Sequence, residues 1–319
     1  MSASIGDARG RAGHLDVGDG DRIWWYEIGD PAGTPAVVLH GGPGSGSNPA
    51  AASFFDDSVY RVILFDQRQC GHSTPHASDP ATDLSSNTTE HLLADLERLR
   101  NARKVERWIV YGHSWGALLG VLYAQRHPER VRALVLVGCP IGRRSEIDWL
   151  YRGVGMFLPA EFESFQEAVP PEDRGGNLIE AYHRLVNDLD PDVCRAAAAA
   201  FHDWEWASVS ADADTRPPKS WLDTRFQLAR ARIVTHFFRH NCWLQDEHVL
   251  RNADALAGIP GALVTGRLDL NAPVVGAWEL ARTWPDANLV IVPDAGHSAG
   301  DPGMFRAIRA ATDRLADSP

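Results

Sequence analysis

A serine between two glycines, in the run Gly112-His113-Ser114-Trp115-Gly116, has the spacing of a nucleophile elbow. The β-branched and aromatic run Trp108–Tyr111 before it predicts a buried strand, and the apolar run Ala117–Ala124 after it predicts a helix. A sharp turn between them strains the serine backbone, and side chains two positions either side would collide. We therefore expect Ser114 to be an exposed nucleophile at the positive end of a helix.

A serine nucleophile needs a base, and the base needs an orienting acid. His297 and Asp269 both come directly after predicted strands in the C-terminal part of the chain. We expect His297 to take the proton of Ser114 and return one to the leaving group, while Asp269 orients the imidazole. Asp294 competes for the acidic role, but it is only three residues before the histidine and approaches the ring poorly.

The glycine-rich run His40-Gly41-Gly42-Pro43-Gly44 follows another predicted strand. We expect the backbone N–H groups of Gly42 and Trp115 to form the oxyanion hole, each contributing roughly 3 kcal/mol to transition-state stabilisation. The alternative, a phosphate-binding loop, lacks the P-loop lysine and the dinucleotide spacing.

Strand and helix patterns alternate through most of the chain, which predicts a mostly parallel sheet flanked by helices, the α/β-hydrolase fold. The predicted strands are Arg22–Ile28, Ala36–His40, Tyr60–Phe65, Trp108–Tyr111, Val131–Val137, Ile259–Thr265 and Asn288–Val292. The predicted helices outside 140–255 begin near Thr89 and at Ala117, Pro273 and Asp301.

Residues 140–255 are helical in pattern, so we expect a helical cap inserted into a core formed by 1–139 and 256–319. A separate helical domain beside the sheet is the alternative.

Composition limits the classes of partner. The chain has 319 residues with 31 basic and 42 acidic side chains, a formal charge of −11, which argues against nucleic acid and anionic membrane partners. Its four cysteines lack metal-binding spacing and indicate free thiols. Met1–Asp21 has no signal-peptide core, so we expect a soluble cytoplasmic protein. We also expect no bound metal, and we expect the first dozen residues to be disordered. The oligomeric state stays open.

Five motifs in this order resemble the proline iminopeptidase (prolyl aminopeptidase) family over nearly the whole chain. They are HGGPG (His40–Gly44), DQRxCGxS (Asp66–Ser73), GxSWG (Gly112–Gly116), GRxD (Gly266–Asp269) and AGHS (Ala295–Ser298). The resemblance implies Ser114, Asp269 and His297 as the triad. It also implies cofactor-free removal of an N-terminal proline from a small peptide.

The substrate pocket departs from the family pattern. The family binds the free amino group with two cap acids, one matched by Glu205 in a Trp-Glu pair. The second lies in a segment of the type ARIENHYF, which here reads ARIVTHFF with Val234 in place of the glutamate and Phe238 retained. Losing one carboxylate should weaken recognition of an ammonium group.

Other pocket positions also differ. The family's Gly-Ile-Phe is Gly138-Cys139-Pro140 here, and Leu150 replaces the first member of an aromatic pair. Gln69 and His72 replace glycine and arginine in the second motif, which we expect to reshape a loop near the site.

Three hypotheses follow. The chain is a proline iminopeptidase that manages with Glu205 alone, or an amidase or esterase acting on another small molecule, or a non-catalytic binding protein on this scaffold. The complete set of catalytic residues disfavours the third. Dehalogenases and epoxide hydrolases, which carry aspartate at the elbow, are excluded by Ser114.

Overall fold

The computed structural model describes residues 11–209, 216–316 and 318. These residues form one eight-stranded sheet in the order β1-β2-β4-β3-β5-β6-β7-β8. The strands are β1 (Arg11–Gly18), β2 (Asp21–Gly29), β3 (Thr34–Leu39), β4 (Tyr60–Asp66), β5 (Trp108–His113), β6 (Val131–Val137), β7 (Gly261–Gly266) and β8 (Ala287–Val292). The pairs β1/β2 and β2/β4 are antiparallel and the remaining pairs are parallel, which confirms the α/β-hydrolase fold.

The first strand is missing from the sequence prediction. β1 contains polar residues and two glycines, and within it Val17 alone is buried. An edge strand of this kind is stabilised by its ladder with β2 and leaves no hydrophobic pattern to read. The expected disorder of the first dozen residues falls mostly on residues 1–10, which lie outside the described residues. Arg11 and Ala12 belong to β1, so the expectation is wrong for these two.

The central strands read as continuous apolar runs because both faces of the sheet are covered. In β5, Trp108 and Val110 point into one apolar cluster while Ile109 and Tyr111 point into the other. The helices are α1 (Thr89–Ala102), α2 (Trp115–Arg126), α3 (Arg144–Leu150), α4 (Pro159–Glu167), α5 (Leu178–Leu185), α6 (Pro191–Val209), α7 (Thr224–Arg239), α8 (His248–Arg251), α9 (Val274–Thr283) and α10 (Met304–Leu315). Helices α1 and α2 cover the first face, and α10 covers the second.

Helices α3 to α8 come between β6 and β7, and the described part of 140–255 contains no strand. Helices α3 to α7 share an apolar cluster that includes Tyr182, Phe201 and Trp204. The domain boundaries at 139/140 and 255/256 stay a prediction. Within the described ranges, no helix has the length and apolar character needed to cross a bilayer.

A fully buried arginine fixes the loop after β4. The guanidinium of Arg68 donates to both carboxylate oxygens of Asp95 on α1, at 2.7 and 2.9 Å, and to Asp21 at 3.1 Å. It also donates to the backbone oxygen of Val17 at 2.9 Å. The charge is therefore compensated where water cannot reach it, and one side chain ties together β1, α1 and the β4 loop.

Removal of the Asp95 carboxylate should make the protein less stable to unfolding. We expect Asp95→Ala to lower the free energy of unfolding by about 3–5 kcal/mol, because it leaves the buried charge of Arg68 undercompensated. The matched control is Asp148→Ala, whose carboxylate is 62% exposed and pairs with Arg144 one helical turn away. That change should alter stability by less than about 0.5 kcal/mol in the same urea titration.

Candidate active site

Ser114 occupies a strained turn between β5 and α2. Its φ and ψ are 57° and −123°, a conformation that side chains rarely adopt. A Cβ atom on Gly112 would lie 2.2 Å from the carbonyl oxygen of Gly116, and one on Gly116 would lie 2.1 Å from that of Leu39. Both positions therefore require glycine, as the elbow pattern predicts. The N–H of Ser114 donates to Val137 of β6 at 2.9 Å, which fixes the turn against the sheet.

A carboxylate and an imidazole meet beside this turn. Asp269 follows β7, His297 follows β8, and the Oδ2 of Asp269 lies 2.8 Å from the Nδ1 of His297. The other Asp269 oxygen accepts the N–H of Ala272 at 2.7 Å, so the carboxylate is held from two sides. Asp294, the competing acid, is exposed.

A cavity of about 1000 Å³ opens over these residues. Ser114 and His297 lie on its wall, whereas the Asp269 side chain is fully buried behind the imidazole. The geometry suits an acid that orients a base without touching the substrate.

His113 lies against the catalytic candidate His297. Its Nε2 is 2.9 Å from the backbone oxygen of His297, and the two rings are 5.0 Å apart. Burial lowers the pKa of His113 to about 4, so the ring is neutral and donates a proton to this oxygen at neutral pH. His113 thereby supports the loop that carries His297.

The glycine-rich loop is fixed by a neutral histidine. The Nδ1 of His40 lies 2.9 Å from the oxygen of Gly41, and its Nε2 accepts the N–H of Gln67 at 3.0 Å. Because Nε2 accepts, the proton sits on Nδ1, and burial lowers the pKa of the ring. Gly42 and Trp115, the predicted oxyanion donors, both line the cavity.

Gln67 connects the two halves of the predicted oxyanion hole. Its side-chain N–H donates to the backbone oxygen of His40 at 3.0 Å, and its Oε1 accepts the indole N–H of Trp115 at 2.9 Å. Gln67 belongs to the DQRxCGxS motif, but the motif alone does not indicate this role. Its one available signal was its position, since a polar residue directly after a buried strand lies at the edge where sites form.

Glu205 on α6 lines the cavity and is already paired with a cation. One oxygen accepts the hydroxyl of Tyr151 at 2.5 Å, and the other accepts the guanidinium of Arg230 on α7. The Nε of Arg230 also donates to Ser45 at 3.1 Å. Sequence reasoning missed Arg230, because nothing in the spacing of α6 and α7 indicates that these two residues meet.

The remaining predicted pocket residues divide into two groups. Pro140, Leu150 and Phe238 line the cavity. Val234 is fully buried in the apolar cluster of the helical segment and does not belong to the cavity wall. Gln69 and His72 also lie off this wall, so their loop does not shape it directly.

The described residues contain no group of three or more His, Cys, Asp or Glu side chains arranged to hold a metal ion. The four cysteines are all buried and unpaired with one another.

The chain is similar in sequence and in fold to α/β-hydrolases, including proteins named proline iminopeptidase. A model of the alpha/beta hydrolase fold family matches residues 34–303. A Streptomyces coelicolor protein named "Probable proline iminopeptidase" is 48% identical over 311 residues, 95% of this chain and 94% of that protein. The proline iminopeptidase of Xylella fastidiosa strain 9a5c is 42% identical over 303 residues, 94% and 95% of the two chains. The crystal structure of the Mycobacterium smegmatis proline iminopeptidase shares the fold, with a TM-score of 0.64 at 23% identity over 96% of this chain and 99% of that one.

The elbow should not tolerate a methyl group at position 116. We expect Gly116→Ala to lower the free energy of unfolding by about 3 kcal/mol or more, since the new Cβ overlaps the carbonyl oxygen of Leu39. Gly120→Ala, one turn later in α2, is the control, because its Cβ would first meet a Val110 methyl group at 3.2 Å. This control should change stability by no more than about 1 kcal/mol. Equal effects of the two substitutions in thermal and urea unfolding would contradict the assignment.

Proposed function

Because the chain belongs to the proline iminopeptidase family of α/β-hydrolases, we propose that it hydrolyses the amide bond after an N-terminal proline residue. The observation that carries the proposal is the Asp269–His297 hydrogen bond beside Ser114, on the wall of one cavity. Relatives that are 42 and 48% identical over at least 94% of the chain carry this name, which gives the acyl group its identity. Residues 140–255 would act as the cap over the site.

The first half of the reaction forms an acyl-enzyme. Ser114 Oγ attacks the prolyl carbonyl carbon while the Nε2 of His297 takes its proton, and Asp269 stabilises the resulting imidazolium. The N–H groups of Gly42 and Trp115 donate to the oxyanion. When the intermediate collapses, the C–N bond breaks and His297 gives its proton to the departing amine.

The second half releases the acid. A water molecule enters, His297 removes its proton, and the hydroxide attacks the ester carbonyl of the prolyl-Ser114 intermediate. The C–O bond then breaks, and the proton on His297 returns to Ser114 Oγ. The apolar side chains of Pro140, Leu150 and Phe238 on the cavity wall suit a pyrrolidine ring.

Three substitutions test the triad with a proline 4-nitroanilide. We expect Ser114→Ala to abolish turnover and Asp269→Asn to lower kcat by roughly 10³- to 10⁴-fold, because the amide leaves the imidazole in the wrong tautomer. Asp294→Asn is the control, because Asp294 is the other candidate for the acid that orients His297. It should leave kcat unchanged. Turnover that survives Ser114→Ala would overturn the proposal, because the amide bond would then be broken without this nucleophile.

Gln67 should act on turnover through the two groups it joins. We expect Gln67→Leu to lower kcat at least about tenfold with a smaller change in KM, because the oxyanion donors lose their fixed spacing. The control is Gln125→Leu on α2, which removes a side-chain hydrogen bond of 2.7 Å to Val249 away from the cavity. Steady-state kinetics of both variants separate a positioning role from a general loss of stability.

A further inference from the structure

The cavity is larger than a prolyl group needs. Its volume of about 1000 Å³ is at the upper end of the range for sites that enclose a whole drug-sized molecule. The apolar side chains that suit the pyrrolidine ring, Pro140, Leu150 and Phe238, all come from the helical segment between β6 and β7. The proposed reaction leaves another part of the wall, formed by residues of the sheet side, without a role.

This other part is an aromatic branch of the cavity. It is lined by Phe54, Tyr111 and Phe305, with Ala51 and Ala299 beside them. Phe54 and Tyr111 belong to the apolar cluster on the second face of the sheet, and the two alanines pack against that cluster. The helical segment has a separate apolar cluster of its own. The second face of the sheet and the helical segment therefore each supply one part of the cavity wall.

The rings of the aromatic branch are held in place without a substrate. The Phe54 ring is stacked on Tyr111 with 5.6 Å between centroids, and it lies 5.5 Å from the Phe305 ring. The backbone oxygen of Phe54 also accepts the hydroxyl of Thr312 on α10. Phe305 is the outer member of the group and is 46% exposed. The branch thus presents a fixed apolar surface with one ring still open to a ligand.

The aromatic branch lies along the segment that follows the catalytic base. Ala299, two residues after His297, lines the cavity, and α10 then brings Phe305 to the same wall. The carboxylate of Asp301 accepts the N–H of Gly296 at 2.6 Å, which fixes this segment on both sides of His297. Because His297 gives its proton to the departing amine, the residue that carries this amine must lie beside the same segment.

We propose that the aromatic branch is the subsite for the second residue of the peptide and that it favours an aromatic side chain there. The proposal rests on the proposed function and specifies its leaving group. An aromatic side chain would cover the exposed part of Phe305 and exclude water from it. Rings at the separations seen between Phe54, Tyr111 and Phe305 also attract one another beyond the effect of buried area.

The test compares two amidated dipeptides, L-prolyl-L-phenylalaninamide and L-prolylglycinamide, by the rate of proline release. The value of kcat/KM covers every step up to the loss of the leaving group, so it reports this subsite even when hydrolysis of the acyl-enzyme limits kcat. We expect kcat/KM to be at least about tenfold higher for the phenylalanine compound, because one aromatic side chain leaves water. The ratio is independent of the fraction of active protein.

Removal of the outer ring should weaken the preference. We expect Phe305→Ala to lower the phenylalanine-to-glycine ratio at least about fivefold, because the substrate ring loses the surface that it covers. Trp278→Ala on α9 is the matched control, since Trp278 is an aromatic residue of the same exposure, 45%, that lies off the cavity wall. Its ratio should equal that of wild type.

A charge at position 305 should create a new preference, which general damage to the protein does not do. We expect Phe305→Glu to raise kcat/KM for L-prolyl-L-lysinamide relative to the phenylalanine compound at least about fivefold, because the carboxylate attracts the lysine ammonium. Trp278→Glu adds the same charge away from the cavity wall and should leave this ratio unchanged.

Binding to the Ser114→Ala protein separates this proposal from the proposed function. The phenylalanine and glycine compounds are titrated calorimetrically into Ser114→Ala and into Ser114→Ala with Phe305→Ala. Tighter binding of the phenylalanine compound that depends on Phe305 supports the subsite even when the wild-type protein releases no proline, a result that overturns the proposed reaction alone. Equal turnover and equal binding of the two compounds, or a preference that Phe305→Ala leaves unchanged, overturns the subsite and leaves the reaction standing.

Discussion

The close approach of Gly116 to the end of β3 determines the arrangement of the whole site. A glycine Cα at this position lets the start of α2 lie against the backbone oxygen of Leu39, where any larger residue would collide. That contact sets the distance between the N-terminus of α2 and the glycine-rich loop that continues from β3. It also over-determines the strained backbone of Ser114, because β6 holds the serine N–H from the other side.

The loop after β4 stabilises the junction from outside. Gln67 joins the backbone of His40 to the indole of Trp115, and the next residue, Arg68, anchors the same loop in a buried charge network. Hydrogen bonds in such a low-dielectric setting restrain the groups they join more strongly than exposed ones do. Donors fixed in advance do not have to reorganise as charge develops on a substrate oxygen, which is the physical basis of oxyanion stabilisation.

Hydrophobic patterns in the sequence were sufficient to predict the buried strands and the residues at their ends. Strand β6 matches its predicted bounds, Val131–Val137, because a parallel strand covered on both faces must be apolar throughout. The pairing of Asp269 with His297 followed from strand ends meeting at one sheet edge. Strand β1 escaped detection because its stability comes from pairing along an exposed edge.

The direction in which individual side chains point could not be predicted from the sequence. The elbow pattern locates His113 next to the serine but does not indicate that its ring packs on His297. Position 234 is one turn from Arg230 on α7, yet Val234 faces the apolar cluster while Arg230 faces the cavity. The contact between Glu205 and Arg230 depends on how α6 packs against α7, which periodicity within either helix does not specify.

The cavity is built from two parts of the chain with separate constraints. Ser114, Asp269 and His297 lie on loops at the ends of sheet strands, whereas Glu205 and Arg230 project from helices between β6 and β7. A substitution at a helix position that faces the cavity does not have to move the backbone of the elbow. Substrate range in this architecture is therefore free to diverge between relatives while the bond-breaking apparatus stays unchanged. Two proteins with superimposable triads need not share a substrate.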